Sequence, residues 1–195
     1  YNSSVYTDMI LGMPLETLES WKNGLTELLE LGQHQSIDIW FTQLLPNSEL
    51  AQFTSKQKYK ISSIHAKNYT SLYNTEDDHA EAIELINGTG TMSTQDMIEA
   101  YLYGWMIVQC HIPGYSQLLS KYCRSVLGIS YRKFYDALFQ NIQNDDVFKL
   151  FYNELKDILD VYLTTGEILA KDPNLRGHAL HYYCLLYTSD AADDT

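Results

Sequence analysis

The sequence predicts an α/β region followed by a helical one, on three observations. Two short stretches read as strands, "VYTDMILG" (Val5–Gly12), β-branched and apolar, and "SIDIWFTQLL" (Ser36–Leu45), whose apolar residues alternate, with helical spacing between them. The joins are short enough for a strand–helix–strand unit, which implies parallel strands with a right-handed crossover. Beyond "NGTGTMS" (Asn87–Ser93) the apolar spacing is three and four throughout, the period of amphipathic helices.

Each element has its own signals. "VYTDMILG" is apolar with a β-branched start, and the "LESWKNGLTELLELG" that follows puts Leu18, Trp21, Leu25, Leu28 and Leu29 on one helical face. Thr17 suits its N-cap, Glu19 the positive end of its dipole and Gly32 its C-terminal stop. In "SIDIWFTQLL", Ile37, Ile39 and Phe41 alternate with Asp38, Trp40 and Thr42 until Pro46 ends the strand. Lys58 to Thr91 is mixed, with strands expected at Ile64–Tyr73 and Ala82–Ile86 on either side of an acidic "NTEDDH" loop.

Four helices are expected after that. Ser93 and Asp96 have capping-box spacing and open a stripe of Met97, Ile98, Tyr101, Leu102, Trp105 and Met106, which reads as core and breaks at Pro113-Gly114. A second stripe, Leu118, Leu119, Tyr122, Val126 and Leu127, closes at Gly128. Ser130 caps a third, with Phe134, Tyr135, Leu138, Phe139 and Ile142. The last, from Asp145 to about Leu163, presents Phe148, Phe151, Leu155, Ile158 and Tyr162.

Composition bounds the function classes. With 195 residues, 45% apolar and 19% charged, the chain suits one globular domain, or the end of one plus a small second one. A net charge of −12 without a basic cluster argues against nonspecific nucleic-acid or anionic-membrane binding, and no apolar run reaches bilayer-spanning length. Cys110, Cys123 and Cys184 form neither a disulfide framework nor a zinc pattern, so a reducing cytoplasm is expected. The sequons at Asn2, Asn68 and Asn87 are what chance supplies in an Asn- and Thr-rich chain. The chain opens without Met and closes on "CLLYTSDAADDT", which resembles a translated sequencing adapter. Residues 184–195 are therefore expected to be foreign, with a natural acidic tail as the alternative, and the remainder to be a piece of a longer reading frame.

Parallel α/β units bind ligands at the C-terminal ends of their strands, which here is "GMPLET". Gly12 lets backbone approach a ligand, Pro14 stiffens the turn, and Glu16 is placed for hydrogen bonding near the next helix. Strand alternation puts Asp8, Ile10 and Gly12 on one side, so Ile10 offers an apolar surface beside the turn. That suits a flat neutral ring such as adenine better than a phosphate, because the loop lacks the glycines and Lys of a phosphate cradle. A plain tight strand–helix turn is the alternative that spacing alone leaves open.

The pattern Asp8-x-Ile10-x-Gly12-x-Pro14-x-Glu16-Thr17 resembles the fifth-strand segment of radical S-adenosylmethionine (radical SAM) enzymes, and "SIDIWFTQLLPNSEL" resembles their sixth strand. "TMSTQDMIEAYLYGWMIVQCHIPGYSQL" and "GISYRKFYDALF" resemble the C-terminal extension of the cobalamin-binding-domain type. The resemblance implies that residues 1–75 are the last β/α units of a partial TIM-like barrel and 76–183 a mixed linker and helical extension. It also implies that Asp8, Ile10, Gly12, Pro14 and Glu16, with Gln43, Leu44 and Leu45, border S-adenosylmethionine, Ile10 packing on its adenine. The implied chemistry is reductive cleavage of S-adenosylmethionine at a [4Fe–4S] cluster on an unidentified small molecule, with cobalamin as a possible methyl carrier. Leu15 departs from the small Gly usual in that turn, and the CxxxCxxC loop that ligates the cluster is absent from the sequence. That loop and any cobalamin domain are expected upstream, so the chain alone is expected to be inactive, with no catalytic or metal-ligating residue of its own.

Other candidates are weaker. His111, before Pro113, is either a helix-end residue bonded to the dipole or part of a substrate pocket. His178 and His181 are spaced for one helical face but have no third ligand, and "TEDDH" has no full cation set. Neither Gly-x-Ser-x-Gly nor His-Glu-x-x-His occurs, which removes the common hydrolase readings. The rival to an enzyme is a non-enzymatic helical module whose aromatic faces, rich in the 16 tyrosines, bind another protein. Parallel pairing of the first two strands is required by the barrel reading, and antiparallel pairing would end it.

Overall fold

A computed structural model describes residues 5–67 and 82–167. The "NTEDDH" loop, the end of the Ile64–Tyr73 strand, the sequons at Asn2 and Asn68, His178, His181 and the adapter-like tail lie outside them. Two strands, β1 (Tyr6–Leu11) and β2 (Ser36–Phe41), flank helix α1 (Leu18–Glu30) and pair in parallel from Tyr6 opposite Ser36 to Leu11 opposite Phe41. The expected strand–helix–strand unit is therefore present.

Local chemistry sets the bounds of α1. Thr17 Oγ1 accepts from the Ser20 amide at 3.0 Å and Ser20 Oγ accepts from the Thr17 amide at 2.8 Å, a reciprocal cap. At the other end Gly32 donates to Leu29 O and Gln33 to Leu28 O, the Schellman pattern, with Gly32 at φ 93°. Trp21, Leu25 and Leu29 are buried on its inner face. Full burial of such side chains stabilises the fold by about 1.5–3 kcal/mol each.

After β2 the path departs from the expected strand to Leu45. β1 turns away at Gly12, so Thr42 makes the last bond to it (Thr42 N–H to Leu11 O, 2.9 Å). The chain then changes partner to β4 (Ala82–Gly88), with Ile86 N–H donating to Thr42 O at 3.0 Å and Leu44 N–H to Glu84 O at 2.8 Å. β4 is antiparallel to β3 (Ser62–Lys67). A short helix α2 (Phe53–Tyr59), unanticipated by apolar spacing, precedes β3 and is tied to β4 by a Lys56–Glu84 ion pair at 2.6 Å.

The helical region is α3 (Thr94–His111), α4 (Gln117–Val126), α5 (Tyr131–Asn141) and α6 (Asp146–Thr165). The expected caps at Ser93 (a capping box with Asp96) and Ser130 are present. α3 is apolar nearly all round and buried from Met97 to Ile107 except at Glu99, which pairs with Lys22 of α1, the signature of a central helix. It packs against α1, α5, α6 and both β1 and β2, and β4 pairs with β3 across the 75/76 division. Gly104 permits a close approach to β2, since a Cβ there would lie 2.3 Å from Ile39 Cδ1. Arg132 of α5 closes the group by binding Glu19 and Asn23 of α1 as well as Asp136.

One helix departs from expectation in its orientation. The α4 stripe of Leu118, Leu119, Tyr122 and Val126 faces outward (Leu118 is 80% exposed), and Ser120 is the buried residue of the helix. Its inward face is polar.

Candidate cofactor-binding site

The β1–β2 sheet has two unlike faces. Thr7, Met9 and Leu11 of β1, with Ile37, Ile39 and Phe41 of β2, lie under α1 and α3. Tyr6, Asp8 and Ile10 are exposed on the other side, opposite Ser36, Asp38 and Trp40. Ile10 is 51% exposed and paired with Trp40, and the indole Nε1–H of Trp40 donates to Asp8 Oδ1 at 2.9 Å. Tyr6 donates its hydroxyl to Asp38, and the two neighbouring carboxylates hold the phenol well above its ordinary pKa. This open face joins a bare apolar position to a satisfied polar row.

The turn at the strand end is built by Met13, Pro14, Leu15 and Glu16. Glu16 N–H donates to Met13 O at 3.2 Å, and Leu15 sits at φ 71° after Pro14, the arrangement of a type II turn with Leu where Gly is preferred. The departure from the family pattern thus leaves the left-handed conformation in place, at a cost of about 1–2 kcal/mol. Gly12 sits at φ 95°, a conformation strained for any side chain, and a Cβ there would also crowd the Met97 methyl at 2.5 Å.

Glu16 turns its half-buried carboxylate back into the loop, where Gly12 N–H donates to Oε2 at 3.3 Å. Burial raises its pKa, and the amides of Gly12 and Met13 oppose that rise. Its carbonyl accepts from Thr91 Oγ1 at 2.6 Å, which joins the turn to the loop before α3.

The predicted residues are distributed as follows. Gly12, Pro14 and Glu16 form the turn, and the Thr42–Leu11 bond brings Gln43 and Leu45 to the same strand end, both exposed. Leu44 between them is 3% exposed, with its side chain in the core. Asp8 lies two residues down the strand from Ile10 and is already engaged by Trp40. Trp40, Asp38, Tyr6 and Thr91 were missed. Alternation in β2 would have found Trp40 and Asp38, because residues paired with Asp8 and Ile10 must share their face.

The arrangement fits part of S-adenosylmethionine. Ile10, Met13, Leu15 and Leu45 are exposed apolar residues at one strand end, a surface for a flat neutral ring. Among the described residues no group of three or more His, Cys, Asp or Glu could hold a metal ion, so they do not fit the iron–sulfur cluster. No helix among them is long and apolar enough to cross a membrane.

Comparison with known proteins adds two relatives and no match to a family model. The chain is 27% identical over 188 residues to the cobalamin-dependent radical SAM methyltransferase TokK of Streptomyces tokunonensis. It is also 27% identical over 188 residues to the 2-(S-pantetheinyl)-carbapenam-3-carboxylate methyltransferase of Streptantibioticus cattleyicolor. Each match covers 93% of this chain and 28% of the relative, so the chain spans little more than a quarter of the length of either.

Proposed function

We propose that the chain is part of a radical SAM enzyme of the cobalamin-dependent methyltransferase type, and that β1 and β2 form one wall of its S-adenosylmethionine pocket. The observation that supports this most is the open face of a parallel strand pair, ending in an apolar strand end and a glycine-type turn. The likeness to two methyltransferases along 93% of the chain agrees with it. In this reading the pair belongs to a partial TIM-like barrel, and the helical region extends the substrate side.

The residues have separate tasks. Ile10 packs on the adenine, Gln43 offers an amide beside it, and Pro14 with Leu15 fixes the turn that Glu16 closes from behind. Bound S-adenosylmethionine, with cluster and cobalamin held outside these residues, supplies the radical and methyl-transfer chemistry. The chain's own part is to orient the nucleoside and keep water from its apolar side.

The test is anaerobic reconstitution of the full-length protein with iron, sulfide and cobalamin, followed by S-adenosylmethionine binding and turnover. Ile10→Asp is expected to weaken binding about tenfold, as loss of roughly 1.4 kcal/mol of apolar contact would. Unchanged affinity in that variant removes Ile10 from the pocket, and a protein that takes up no cluster ends the radical SAM reading.

The outward stripe of α4 favours a second reading, a helical protein-interaction module. Full-length protein that binds a partner and leaves S-adenosylmethionine intact would support it.

A further inference from the structure

We propose that His34, His111 and Tyr135 form an acid-sensitive clasp that holds α4 on the domain. The cluster joins four places in the fold. His34 precedes β2, His111 ends α3, Ser116 and Ser120 belong to the start of α4 and its first turns, and Tyr135 lies in α5. His34 Nδ1 is 2.9 Å from His111 Nε2, and His111 Nδ1 is 2.5 Å from the Tyr135 hydroxyl. Ser116 Oγ meets the same hydroxyl at 2.9 Å, and Ser120 Oγ approaches His111 Nδ1 at 3.3 Å. Tyr131 packs its ring against both imidazoles.

Such a chain is complete when both rings are neutral. Each imidazole then has one donor and one acceptor, so the facing nitrogens bond to each other and His111 still serves Tyr135. Protonating both rings makes donors of both facing nitrogens, and the His34–His111 bond cannot survive. A single added proton must sit on or beside His111, which has no solvent exposure. Burial, then His34 and Lys121, holds the His111 pKa down at about 4, and burial with Lys121 lowers His34 as well. Burial pushes Tyr135 up to about 12, so it remains a neutral hydroxyl.

Every packed element contributes to this balance. α4 brings Lys121, and also Arg124, which is occupied by Glu30 of α1 at 2.6 Å. Glu30 also accepts from the Tyr131 amide, and α3 adds the Cys110 thiol, raised by burial to about 11.

The fate of α4 depends on this cluster because, besides the exposed Arg124–Glu30 pair and its packing on α5, its inward contacts converge there. Its apolar stripe faces away, and its inward bonds run to the same place: Gln117 Nε2 donates to His34 O at 2.8 Å and to His111 O at 3.2 Å. A helix held by polar contacts opens at lower cost than one seated in a core.

The direction of the pH effect follows from linkage. The closed form binds protons less readily than an opened form whose histidine titrates near 6.5, so the contribution of His111 to closure is fully present above that pH and is lost as pH falls from 6.5 towards 4. From His111 alone, the ratio of open to closed rises roughly twentyfold between pH 7 and pH 5.

Hydrogen exchange of the full chain at pH 7 and pH 5, corrected for intrinsic rates, is expected to show that loss of protection in residues 117–126 while α1 and the middle of α3 stay protected. His111→Gln and His34→Gln should each reduce the pH response, and a His111 imidazole resonance should titrate below pH 5. Equal protection at both pH values overturns the proposal, as does an undiminished response in both variants. If one variant does not fold, the other and the wild-type imidazole titration still decide, and a His111 midpoint near 6.5 ends it.

Discussion

Leu15 offers the sharpest test of the turn that shapes the candidate site. At φ 71°, in the third position of a turn entered through Pro14, it occupies a conformation that costs a branched side chain about 1–2 kcal/mol. It is 71% exposed, so little packing is lost on truncation, roughly 0.5 kcal/mol. Leu15→Ala keeps the backbone cost and loses that packing. Leu15→Gly relieves the backbone but adds about 0.4–1 kcal/mol of unfolded-chain entropy. The glycine variant should therefore be more stable than the alanine variant by about 0.8 kcal/mol, the reverse of the order at a right-handed position. With an m-value of about 2 kcal/mol/M, urea midpoints should differ by about 0.4 M. An alanine variant equal to or more stable than the glycine variant refutes the left-handed assignment, and with it the conclusion that the turn tolerates the departure at Leu15.

Two further expectations concern how the sheet is held. Gly104→Ala gains about 0.8–1 kcal/mol of helix propensity yet should destabilise by about 1–2 kcal/mol overall, because its Cβ meets Ile39 Cδ1. Ile39→Val removes that methyl, so the double variant measured by denaturation should cost at least about 1 kcal/mol less than the two singles added. On β1, Leu11→Ala should cost about 2–5 kcal/mol, since Leu11 has no exposure, whereas Ile10→Ala on the open face should cost under about 1 kcal/mol. Equal losses at Leu11 and Ile10 would mean that both faces of the pair are packed.

Much of this architecture was legible because local rules decide it. Thr17, Ser93 and Ser130 cap where side-chain oxygens are needed, Gly32 and Gly128 close helices at positive φ, and the alternation of β1 separates Ile10 from Leu11. What failed was long-range. α2 has no apolar period, since "FTSKQKY" buries only Ser55 and is anchored through Lys56. The switch of residues 42–44 from β1 to β4 depends on a partner some forty residues away. An amphipathic stripe identifies two faces and not which one points inward, so α4 could not be oriented from spacing. Within the site, Gln43, Leu44 and Leu45 could never all face one pocket from an extended backbone, and the burial of Leu44 shows which one turns away.

The candidate pocket wall and the histidine clasp are connected through β2, which follows His34, and through α3. α3 begins beside the turn, where Met97 fills the space that a side chain at Gly12 would need and Thr91 binds Glu16, and ends at His111. Eighteen residues of helix separate those ends by about 27 Å, through a stretch from Met97 to Ile107 that is buried except at Glu99. Because closely packed interiors resist small displacements, opening the polar end of α3 need not move the end that supports Gly12. Release of α4 and integrity of the β1–β2 strand end are therefore separable. Acid should loosen the outer helix before it disturbs the strand end, and variants at Leu15 or Gly104 should shift stability without changing the pH at which α4 loses protection.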